Sequence, residues 1–143
     1  MNVRQRVLLL GLLVGSAHTV VRVFVFQSAS TAIGASLTDL LFGTLATTLV
    51  TLAVLLGLPL YGALRLDVPT AAPRPSLAAV VAVGTGLAIF VTYPVASAQA
   101  AGAPLDEVLQ TQFAGVYLVN AVSPAAYSGV SALAGFLLVE QNT

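Results

Sequence analysis

The chain has no cysteine and no tryptophan, and its five basic residues are all arginines, so it has no lysine either. Without cysteine there is no disulfide, no iron–sulfur cluster and no thiol chemistry, and the redox compartment stays open. Charge is scarce at 7% of 143 residues, and five arginines balance five acidic groups. Scattered and neutral overall, these groups cannot form the clustered cations that phosphate backbones demand, which excludes nucleic acid as a partner. There is one histidine, His18. A haem held between helices needs two facing histidines, and a metal needs several His, Cys or carboxylate groups together, so no metal and no cofactor are expected. The run Gly84-Thr85-Gly86 follows no strand and lies in an apolar stretch, so it is no phosphate loop. No catalytic residues emerge. His18 with Asp39 lacks a nucleophile and an oxyanion donor, and Ser16, two residues from His18, points to another helix face. The chain therefore does not read as an enzyme. Missing Lys, Cys and Trp beside abundant Ala, Val, Leu and Gly suit a GC-rich prokaryotic genome.

What the chain has instead is hydrocarbon. Hydrophobic residues make up 58% of it and the mean hydropathy is +1.00, too little polar surface to cover a water-soluble globule of this size. Four stretches, about 7–26, 38–63, 76–97 and 113–139, are nearly free of charge. Each approaches or exceeds the roughly 20 apolar residues that cross a bilayer as a helix, the one open-ended element that satisfies its own backbone in lipid. The expected fold class is all-α: a polytopic membrane protein, residues 1–143 as a single transmembrane domain, with four helices in an up-down bundle. Arg4 and Arg6 ahead of Val7–Gly15, with Ala17 beyond, have the form of a secretory signal. Apolar character resumes through Val20–Phe26, so the segment reads as a retained span.

Arginines set the orientation. Arg4 and Arg6 precede the first span and Arg65 and Arg74 lie between the second and third, whereas the loops 27–36 and 97–112 carry none. The positive-inside rule then puts both termini in the cytoplasm and Asp106 and Glu107 outside, with the cell membrane as the location. Ser36-Leu37-Thr38-Asp39 has capping-box spacing, so the second helix should begin near Leu37. Three prolines between Asp67 and Ser76 forbid a continuous helix there. Pro104 followed by Leu105, Val108 and Leu109 opposite Asp106, Glu107 and Gln110 predicts a short amphipathic surface helix over 104–112, with the chain turning inward near Gln112. Pro124 should kink the fourth span.

Two stripes predict how the helices meet. Gly11, Gly15, His18 and Arg22 share one face of the first helix, and Asp39, Gly43, Ala46, Val50, Ala53 and Gly57 share one face of the second. Small residues permit close approach in lipid, so the two faces are expected to clasp, with Gly15 opposite Val50, His18 opposite Ala46 and Arg22 opposite Gly43. The stripes Ala78-Ala82-Gly86 and Ala121-Ala125-Gly129-Ala132 read as ordinary packing surfaces.

The polar intramembrane candidates are His18, Arg22, Asp39, Asn120, Tyr93 and Tyr127. Asp39 is the carboxylate nearest Arg22 on the matched faces, although helical side chains lean toward the N-terminus and would point Arg22 away from it. His18 is expected to bond to Ser16, to a threonine of the second helix or to water held by Arg22. Asn120, Ser123, Tyr127, Tyr93 and Pro94 form a separate polar patch. Charge inside a span is a functional suspect by default. The expected partners are the lipid bilayer and either further copies of the chain or a larger membrane complex. The leading functional expectation is a non-catalytic accessory subunit or self-associating bundle; the alternative is a small channel or transporter lined by these polar groups.

Overall fold

In the computed structural model, residues 2–25, 37–66, 68–69, 72–110 and 114–141 are described. They form four long helices, each apolar enough to cross a membrane: α1 Val3–Val25, α2 Leu37–Arg65, α3 Arg74–Ala101 and, after a single helical turn α4 at Leu105–Val108, α5 Ala114–Gln141. This is the make-up of a multi-pass membrane protein. Ser36, the turn near Gln112 and the first-span limit at Phe26 lie outside the described residues.

Local chemistry accounts for the ends. Asn2 caps α1, its side chain accepting from the Gln5 amide at 2.9 Å while the Gln5 side chain accepts from the Asn2 amide at 3.0 Å, a reciprocal box that satisfies two otherwise orphaned donors. Pro75 sits in the first turn of α3, where no amide is needed. That helix stops at Gly102, whose φ of 64° is the left-handed conformation glycine adopts without strain. Pro59 is buried in α2. Lacking an amide and crowding the carbonyl four residues back, it disturbs regular helix, and the preceding residues Ala53–Gly57 take a wider π-helical turn. A second such turn, Val21–Val25, closes α1. The helix α5 continues through its buried Pro124.

The bundle is organised around α3, which offers two small-residue faces. One receives α1. A Cβ built on Gly11 would collide with the Val81 carbonyl and stand 3.1 Å from the Gly84 Cα; one built on Gly15 would collide with the Thr85 carbonyl and crowd the Ala88 methyl. The other face, one residue step or about 100° round the axis, receives α5, where Gly129 lies over Ala78 and Ala82, and Gly86 against Ala125. The stripes Ala78-Ala82-Gly86 and Ala125-Gly129 thus pack on each other.

The expected clasp between the first two helices is therefore corrected. Gly11 and Gly15 pack on α3, Gly57 has open space around its Cα, and Ala46 is exposed. The reason is steric. Gly84 and Ala88 let the α1 backbone approach closely, whereas the face of α2 turned toward His18 carries Thr44, Thr47, Thr48 and Thr51, whose branched side chains hold the backbones apart. The C-terminal part of α2 docks on α5: Leu60 and Ala63 cover Gly135, and Ser131 donates to the Leu56 carbonyl. Its N-terminal part is barely packed. Only 12% of the most apolar window of α2 is buried, against 39% for each of the other three.

Toward one end of the bundle lies a buried cluster of Val7, Ala63, Leu77, Val81, Ala132 and Phe136. The arginines Arg4, Arg6, Arg65 and Arg74 belong to the same end, with Arg65 over the Tyr61 ring at 5.3 Å and Arg74 donating to the Pro69 carbonyl at 3.0 Å.

Candidate functional site

Apart from Arg74 and Ser131, the buried polar side chains lie from the middle of the bundle toward the opposite end. Thr19 of α1 and Thr92 of α3 pair through their hydroxyls at 2.9 Å. Thr85 of α3 pairs with Ser128 of α5, also at 2.9 Å and fully buried. These bonds tie helix pairs that small residues have already brought together, each adding a modest increment in lipid.

Arg22 joins what the sequence divides into two patches. Its guanidinium donates to Asn120 Oδ1 of α5 at 3.1 Å and stands 5.7 Å from the centroid of the Tyr93 ring of α3. Asn120 in turn donates to the Val116 carbonyl one turn back, and Tyr93 packs edge-tilted on Tyr117 with centroids 6.1 Å apart. Among the described residues the cation thus meets an amide dipole and a π face, both neutral. Asp39 holds an exposed position in the first turn of α2, and Ser123 is exposed on α5.

His18 is 2% exposed, and neither ring nitrogen has a hydrogen-bond partner. The expectation that a neighbouring hydroxyl satisfies it is not met. Thr47 and Thr48 face the histidine but give their protons to the carbonyls of Gly43 and Thr44 in their own helix, each at 2.8 Å, a local bond that helical threonines commonly make. The ring instead faces a cavity of about 320 Å³ between α1, α2 and α5. Arg22 and the threonines Thr44, Thr47, Thr48 and Thr51 line it, Tyr127 contributes from α5, and Leu52 and Leu55 supply apolar wall. Both π-helical turns border this space, one contributing Arg22 and the other Leu55. Such turns commonly mark functional positions in helices.

The structure therefore gathers His18, Arg22 and Tyr127 around one cavity and links Asn120 and Tyr93 to it through Arg22. The threonine row was overlooked in the sequence, although positions 44, 47, 48 and 51 recur at helical spacing. Among the described residues no cluster of His, Cys, Asp or Glu can hold a metal. Comparison with protein families, curated proteins and solved structures finds no match to this chain.

Proposed function

We propose that the chain is a non-catalytic integral membrane protein that acts through helix–helix interaction, as an accessory subunit or a self-associating bundle. The observation that carries this reading is the contrast within α2. Its inner part is seated on α5, while its outer part presents Leu41, Phe42, Leu45 and Leu49 at 56–67% exposure and carries the small residues Gly43 and Ala46 beside them. A span with a small-residue edge and little internal packing is suited to receive another helix.

In this reading the four spans thread up and down through the cell membrane with both termini cytoplasmic, since four of five arginines belong to one end. The turn α4 with Asp106 and Glu107 lies at the outer surface as the start of an amphipathic segment. Conduction finds less support: the cavity beside His18 is lined from the outer and middle parts of the spans, and a buried apolar cluster of Val7, Ala63, Leu77, Val81, Ala132 and Phe136 lies on its inner side.

The test uses the absence of native cysteine. Single cysteines replacing Leu41, Leu45 or Leu49 are cross-linked in native membranes, alongside Val83→Cys on α3 as an exposed control. Cross-linked species of twice the mass, or of a reproducible larger mass, from the α2 positions only are expected. Monomer at every position, together with a monomeric mass after mild-detergent extraction, overturns the proposal.

A further inference from the structure

We propose that the space beside His18 is a binding site for an oxyanion, a carboxylate or phosphate group, presented either as the head of a bilayer amphiphile or free from the outer solution. The inference is independent of any partner on α2 and rests on which hydrogen-bonding groups remain unspent. His18 is almost completely buried, with both nitrogens unpartnered, and a buried polar group left unpaired is costly enough to call for an occupant. An imidazole offers at least one N–H. Arg22, on the same wall, gives one donor to Asn120, and its guanidinium carries five in a fixed fork. Thr51 and Tyr127 add hydroxyls, whereas the protons of Thr47 and Thr48 are committed to their own backbone.

The lining is thus rich in donors and carries one positive charge, for which the contacts among the described residues are a neutral amide and a neutral ring. Its complement is an acceptor with negative charge, and a planar fork favours carboxylate or phosphate oxygens above other anions. Size agrees. About 320 Å³ is the room of roughly ten waters at about 30 Å³ each, too much for one halide ion but enough for a several-oxygen head group. Access agrees as well, because Arg22, Thr44, Thr48 and Tyr127 at the margin are exposed and lie within helices long and apolar enough to span the bilayer.

His18 is the only histidine, so its ring nitrogens give unambiguous nuclear magnetic resonance signals. The full chain, labelled with ¹⁵N-histidine and held in phosphatidylcholine nanodiscs, is titrated with palmitate or phosphatidic acid placed in the bilayer, with acetate or phosphate in solution, and with chloride. A saturable shift of the His18 signals with either oxyanion arm is expected. A response to the lipid-borne arm alone identifies an amphiphile, and a response to soluble acetate or phosphate identifies a free anion. Arg22→Gln should weaken the response about tenfold or more through loss of the charged fork. Tyr127→Phe, at an exposed position that leaves packing intact, should weaken it less. No shift in either oxyanion arm, an equal response to chloride, or a response unchanged in Arg22→Gln overturns the proposal.

Discussion

Gly11 and Gly84 face each other so closely that a Cβ on the first would lie 3.1 Å from the Cα of the second, and a Cβ on the second 3.2 Å from the Cα of the first. The two spans they belong to are therefore held at backbone distance, and the space between them has no room for a methyl group. Gly11→Ala should cost about 1–3 kcal/mol, the usual penalty for overpacking a tight interface, and Gly15→Ala a similar amount. Gly57→Ala, with nothing within 4 Å, should stay within about 1 kcal/mol of the parent. Unfolding in mixed micelles by denaturing detergent measures all three, and equal behaviour of Gly11→Ala and Gly57→Ala would refute the packing described.

The bond between Arg22 and Asn120 predicts coupling across 98 positions of sequence. A double-mutant cycle with Arg22→Leu and Asn120→Leu should give an interaction energy of about 0.5–2 kcal/mol. Additive losses for Arg22 and Asn120 would show that they do not act together.

Ser131 donates to the Leu56 carbonyl in the wide turn of α2. Ser131→Ala should lower stability by about 0.6 kcal/mol, and by no more than about 1.7 kcal/mol, the average and maximum for side-chain hydrogen bonds within a membrane protein, and should raise hydrogen exchange in Leu52–Leu58 more than elsewhere in α2. An unchanged exchange pattern counts against the bond.

Orientation is open to direct labelling because no native cysteine interferes. An impermeant maleimide added to intact cells should modify Glu107→Cys and spare Gln141→Cys, and inverted vesicles should reverse the pattern. Labelling of both from one side contradicts the threading.

Purified chain in sealed liposomes should leave proton, sodium and chloride gradients intact, since the polar cavity gives way to a buried apolar cluster in which Val81 is 0% and Phe136 1% exposed. Leakage that Arg22→Gln or Thr51→Val abolishes would instead establish a path.

The four long apolar helices are plain in the sequence because hydropathy over 20 or more residues is a sum of many small terms, and no local accident cancels it. The small face of α1 is equally plain. Its neighbour is not: periodicity shows which side of a helix permits contact, and a short connection favours the adjacent span, but Gly84 and Ala88 outcompete α2 by offering bare backbone where α2 offers threonines. Arg22 and Asn120 lie too far apart in sequence for spacing to relate them. The unmet ring of His18 was hidden for another reason. Threonines do stand opposite it at the expected level of the hairpin, and only coordinates reveal that Thr47 and Thr48 have turned their protons to their own carbonyls.

The wide turn at Ala53–Gly57 divides α2 into two arms that meet different neighbours: Leu58–Arg65 is seated on Gly135 of α5, next to the Leu56–Ser131 bond, while Leu37–Leu52 turns most of its apolar side chains away from the bundle. One span thus divides its contacts between the interior of this chain and whatever surrounds it.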